Sequence, residues 1–268
     1  MRVPSSLVID IAKRNPDDWE IQWGAAELLN DWKQKQPQFE MALTLSGTNS
    51  AVALRYACAA AAEHQAAIAS RWLAYCQLHE QTNCVPWLAE LWLRRVCGAT
   101  KEFREPKGGD MMFRDCSGNA ARARIRALEA AGYSKYAARR IGFLPKLYAV
   151  QMAQDLRREK PAANLDVFLL GVARAMQTDA TFIVTELAGE SLESAVWDRR
   201  TDSPEKMSRL EAMMERRLAL TQLLQETERR VDVVPEERMV MYFDDLLFRG
   251  EAVAMQRLSL EIGSVPVR

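Results

Sequence analysis

The sequence predicts an all-α fold: a multi-helix bundle with a central helix-turn-helix-like unit and a long C-terminal helix. Three observations carry that expectation. Ala, Leu, Glu, Arg, Gln and Met dominate the 268 residues, and these side chains lose little rotamer freedom on a helical backbone. Only 12 Gly and 10 Pro interrupt the chain. Apolar residues recur at three- and four-residue spacing in many segments, the period of one helix face. At 49% hydrophobic and 27% charged, the composition is that of a globular protein.

In chain order, residues 4–14 form a short segment compatible with strand or helix. Asn15-Pro16-Asp17-Asp18 then supplies a turn and cap, with acidic groups where a helix dipole favours them. Trp19, Trp23, Ala26 and Leu29 follow at helical spacing, with Trp32 near the same stripe. Between Pro37 and Gly47, Phe39, Met41, Leu43 and Leu45 alternate like a strand. Residues 50–70 are Ala-rich and predict a tightly packed internal helix. Helices over 71–82 and 85–98 complete an N-terminal bundle, the second with Pro86 in its first turn.

Residues 99–118, with Pro106, Gly108, Gly109 and Gly118 among mixed charges, read as a linker or long loop. A basic helix-turn-helix-like unit over 119–160 follows, and an acidic helical region over 161–268 closes the chain. Segments 164–178 and 180–198 are moderately apolar. Ser203-Pro204-Glu205 gives a cap, a first-turn proline and an acidic residue, opening a helix to about Val231. On it, Leu210, Met213, Arg217, Leu220, Leu224, Thr227 and Val231 alternate by three and four. That stripe fits pairing with an identical chain or closure of an intramolecular bundle. Pro235 opens a last helix carrying Met239, Tyr242, Phe243, Leu246, Leu247 and Phe248, before a tail ending at Arg268.

Net charge is zero, yet charge is sorted along the chain. Residues 1–100 hold 9 basic and 10 acidic side chains, residues 101–160 hold 14 and 7, and residues 161–268 hold 13 and 19. A local cationic face binds phosphates even on a neutral molecule, whereas the bland alternative is a solvated Arg-rich helix face.

Catalytic constellations are missing from the pattern. The chain has two histidines, His64 and His79, and no phosphate-binding loop, dinucleotide fingerprint or HExxH. The expectation is a non-enzymatic protein without a cofactor. Cys76, His79, Cys84 and Cys97 have a spacing zinc could use, but their surroundings are apolar and Trp-rich, so buried thiols are the better reading. Five cysteines, odd in number and without a CxxC pair, together with no signal-like N-terminus and no long apolar run, predict a cytoplasmic protein with no membrane partner.

The central segment has the parts of a helix-turn-helix: two short helical patterns around Ala131-Gly132-Tyr133-Ser134, and a third beyond Gly142 to Pro145. Arg122, Arg124, Arg126, Lys135, Arg139, Arg140, Lys146, Gln151 and Gln154 are the candidate DNA-binding residues, the cations for phosphates and the glutamines for bases.

Gly118, Asn119, Ala120, Ala131, Gly132, Tyr133, Ser134, Ala138, Arg139 and Gly142 form a pattern that resembles the DNA-binding segment of tailed-phage terminase small subunits. The likeness spans about 30 residues; here they lie centrally, whereas the family carries them near its N-terminus, and the spacing from Asn119 to Gly132 is about one helical turn longer. The resemblance implies recognition of double-stranded viral DNA in the host cytoplasm, a ring-like homo-oligomer, and delivery of DNA to a large terminase ATPase. Two other expectations use the same segment: a DNA-binding regulator or replication accessory factor, and a helical adaptor or structural subunit that touches an acidic protein or RNA.

Overall fold

The computed structural model describes residues 3–96, 111–133, 153–154, 164–179, 181–200, 203–230 and 236–263. Among them regular structure is helical, so the all-α expectation holds. The chain divides into two compact units, Met1–Asp110 with Arg114–Pro145, and Met111–Phe113 with Lys146–Arg268.

In the first unit, α1 (Ser5–Arg14) buries Val8, Ile11 and Ala12, a three-four pattern that resolves the strand-or-helix ambiguity of this segment. Asp18 caps α2 (Trp19–Leu28), its Oδ1 accepting from the N–H groups of Glu20 and Ile21 at 3.1 and 3.2 Å, as the sequence predicts. The segment read as strand-like is instead α3 (Trp32–Leu45), capped by Asp31. Its buried residues are Phe39, Ala42 and Leu43, while Met41 and Leu45 are exposed. Ala42 completes a helical face that counting only the large apolar residues turned into false alternation.

Asn49 caps α4 (Ser50–Ala62), in which every residue from Val52 to Ala61 is buried. The Ala-rich stretch is not one helix to residue 70. It breaks at Glu63–Gln65, where His64 has a φ of 56°, and restarts as α5 (Ala66–His79). The Asn83 side chain accepts from the Val85 N–H at the start of α6 (Val85–Val96), and Pro86 lies in its first turn. Asn83 also accepts from the Arg114 N–H and donates to the Arg114 carbonyl, pinning the chain just before α7 (Ser117–Ala130). α7 packs against α2. The approach is close because Gly24 has no side chain: a Cβ there would lie 2.1 Å from the Ala123 carbonyl oxygen.

Cys58, Cys76 and Cys84 are buried thiols of this unit, and burial raises Cys76 well above the usual thiol range. Cys97 lies outside the described residues. No group of three or more metal-ligating side chains is assembled among the described residues.

The second unit pairs α8 (Asn164–Asp179) with α9 (Ile183–Trp197). Met111–Phe113 belong to it: Phe113 is buried and its N–H donates to Asp179 Oδ2 at 2.9 Å. Ser203 caps α10 (Pro204–Arg230), with Oγ accepting from the Lys206 N–H, so the predicted start and length hold closely. Of the expected apolar stripe, Met213 is buried, Leu210, Leu220 and Leu224 are half-buried, and Arg217 is exposed. Met207, Met214 and Leu218 stand exposed on the same helix.

The segment expected to hold one last helix and a tail instead forms α11 (Glu236–Arg249) and α12 (Glu251–Gly263), separated at Gly250. The Glu251 N–H donates to the Thr181 carbonyl and its carboxylate accepts from the Ile183 N–H, tying α12 to the start of α9. No helix among the described residues is long and apolar enough to cross a membrane.

Candidate nucleic-acid interface

The described part of the basic segment is α7 and the turn after it. Arg122, Arg124 and Arg126 are spaced by two residues, and a helix turns about 200° over that interval. Neighbours in the set therefore face opposite ways. Arg122 and Arg126 are exposed. Arg124 is half-buried on the side of Ala120, Ala123 and Ala127, with its Nε enclosed. Burial lowers the Arg124 guanidinium below its ordinary value, opposed by the Glu27 carboxylate and reinforced by the Arg55 charge. Arg124 thus belongs to the interior electrostatics of the first unit.

Arg126 is exposed but engaged. Its guanidinium bonds Asp18 Oδ2 at 2.6 Å and also pairs with Glu20. Those hydrogen bonds and charges raise it, Asp18 contributing most. A phosphate reaching Arg126 has to compete with two carboxylates in a shallow cleft of about 530 Å³ that Trp19 and Asp17 also line. Arg122 is exposed one helical turn before Arg126, on the same face of α7.

α7 ends in a turn over residues 131–133. Gly132 has a φ of +77°, left-handed backbone that a side chain rarely tolerates. The Tyr133 N–H donates to the Leu128 carbonyl at 2.9 Å, closing the helix end. Lys135, Arg139, Arg140, Lys146 and Gln151 lie outside the described residues. Gln154 is exposed in a helical stretch and belongs to the second unit, whereas α7 belongs to the first.

Two charged clusters were not anticipated from the sequence. In the first unit, Arg55 of α4 donates from Nε and Nη2 to the two carboxylate oxygens of Glu27 on α2, at 2.9 and 2.7 Å, and both side chains are buried. The Trp23 indole N–H adds a bond to Glu27 at 3.3 Å. Burial alone would raise Glu27, but Arg55 outweighs it and holds the carboxyl below the usual range.

In the second unit, Glu193 of α9 is fully buried and receives Nε and Nη2 of Arg209 at 2.8 and 2.9 Å, Gln177 at 2.7 Å and the Trp197 indole at 3.2 Å. Burial opposes its charge, yet the hydrogen bonds from Arg209, Gln177 and Trp197 hold its carboxyl below the ordinary value. Glu190 is buried, and among the described residues neither oxygen holds a hydrogen bond; Arg216 Nε makes an ion contact with it at 3.5 Å. Burial pushes Glu190 up, with Arg216 and Arg217 opposing. Arg209 and Arg216 also line a cleft of about 450 Å³ with Gln177, Thr178 and Trp197. The available signal was the placement of Glu186, Glu190 and Glu193 on one face of an otherwise apolar helix, answered by two arginines seven residues apart. No protein-family model, curated protein or solved structure matches this chain.

Proposed function

We propose that this chain is a non-enzymatic DNA-binding protein whose contact with duplex DNA runs through α7 and the basic segment beyond it. A terminase-small-subunit role in packaging phage DNA is its sharpest form. The observation that carries the reading is the local charge, 14 basic against 7 acidic side chains over residues 101–160 of a neutral protein. An exposed Arg122 and the left-handed Gly132 turn at the end of α7 support it. Phosphate contacts of this kind position a protein on the duplex and make its affinity salt-dependent.

Replacing Arg139, Arg140 and Lys146 with Ala is expected to weaken duplex binding and flatten the salt dependence, by roughly 0.9 units of log–log slope for each phosphate no longer neutralised. Wild-type affinity in the triple variant moves the interface elsewhere. A wild type that ignores duplex DNA at moderate salt favours instead an adaptor for an acidic protein or RNA.

In the packaging form the chain is a homo-oligomer that hands DNA to a large terminase ATPase. The exposed Met207, Met214 and Leu218 of α10, spaced by seven and four residues, support self-association. Met214→Asp with Leu218→Asp is expected to lower the mass seen in light scattering. A wild type that is monomeric at micromolar concentration removes the ring, and a dimer on a palindromic site favours a regulator.

A further inference from the structure

The face that α10 turns toward α9 is unusual in what it buries. Among the described side chains of α10, Met213 and Lys206 are the buried ones, and the Lys206 ammonium donates to the Arg200 carbonyl at 2.9 Å. Among the described residues, the hydrogen bonds and ion pairs that join α10 to α8 and α9 come from two arginines, while α10 also packs against α12. Arg209 forks onto Glu193, and Arg216 bonds Glu186 and the Gln177 carbonyl at 3.0 Å each while approaching Glu190. The α8–α9 pair beneath is held differently, by buried Phe168, Val172, Met176, Leu192 and Val196.

We propose that α10 is a charge-latched strap on the α8–α9 pair, able to lift from it while that pair stays folded. Two features keep the latch shallow. The arginines stand at the rim, with side chains 38% and 46% exposed, so salt reaches and screens them. The carboxylates beneath, Glu190 and Glu193, are buried, and that loss of hydration offsets much of the attraction.

Lifting α10, and α12 with it, returns water to both carboxylates, so opening leaves no charge stranded in an apolar interior. Glu190 gains most, since among the described residues neither of its oxygens holds a hydrogen bond in the latched state. The balance places α10 among the segments that open locally before a domain unfolds. This inference is independent of the DNA-binding reading.

Hydrogen exchange on the full chain, read by peptide, tests it. From about 50 mM to about 1 M NaCl the Debye length shrinks from over 10 Å to about 3 Å. Over that range α10 amides are expected to exchange about tenfold faster, while α8 and α9 amides keep their protection. Arg209→Gln with Arg216→Gln is expected to reproduce the high-salt pattern at low salt, and Arg209→Lys with Arg216→Lys to restore protection. Three results overturn the strap: α8, α9 and α10 losing protection together, α10 exchange indifferent to salt, or α10 unprotected at both salts. The wild-type salt series decides the matter even if the double variant fails to fold.

Discussion

Each unit buries a carboxylate against an arginine, and the two arrangements differ in where the arginine stands. In the first unit both partners are enclosed, Arg55 at 1% and Glu27 at 6% side-chain exposure. In the second, Glu193 is enclosed but Arg209 lies at the rim. An enclosed pair is a lock: water and ions do not reach it, and removing one member strands the other. A rim pair is adjustable, because its cation can trade the carboxylate for solvent. The same chemistry gives fixed structure in one unit and a responsive contact in the other.

The comparison breaks most sharply at Arg55. Arg55→Ala is expected to destabilise the first unit by about 3–5 kcal/mol in urea unfolding, the usual cost of stranding a buried charge. A loss under about 1 kcal/mol would mean that water reaches Glu27. Acid probes the same pair. Glu27 has a lowered folded-state value, so its contribution is fully present above the unfolded value of 4.5 and is lost as pH falls through the folded one. Unfolding midpoints taken from neutral pH downward are expected to fall in that window for the wild type and less so for Glu27→Gln.

Next in size is Gly24→Ala, which forces a methyl into the Ala123 carbonyl and is expected to cost about 1–3 kcal/mol by pushing α7 from α2. A neutral result in thermal unfolding would show that the two helices separate freely. Asp18→Ala removes a cap and one partner of Arg126, for about 1 kcal/mol. Arg209→Gln sharpens the contrast: its cost at low salt, about 1 kcal/mol, is expected to shrink at high salt, whereas the Arg55→Ala cost is expected to stay. Smallest is Arg126→Ala, whose half-exposed pairs are worth between zero and about 1 kcal/mol.

Local signals were legible in the sequence. Asp18 and Ser203 cap helices where their side chains and the residues after them said they would, and Pro204 opens the long helix. What failed were inferences that treated apolar size as the whole pattern. Ala42 is as buried as Phe39 and completes the helical face of α3, which the large residues alone present as an alternation. On α10 the stripe of Leu and Met missed that Arg209 and Arg216, standing at the rim, reach buried carboxylates of α9, because that pairing depends on partners from another helix. Glu27 and Arg55 stand 28 residues apart, and Asp18 and Arg126 108 apart; no local window connects them. Of the candidate DNA-binding set, helical geometry separates the even-spaced arginines onto two faces, so Arg124 turns inward where charge counting grouped all three.

All five cysteines fall between residues 58 and 116, and all belong to the first unit; the second has none. Cys58, Cys76 and Cys84 are closed to solvent in the folded protein. A thiol reagent therefore meets them only when that unit opens, and the rate at which they react is a clock for its opening alone. The molecule carries a native reporter that distinguishes its two halves without an added label. Motions of the second half pass silently beneath it.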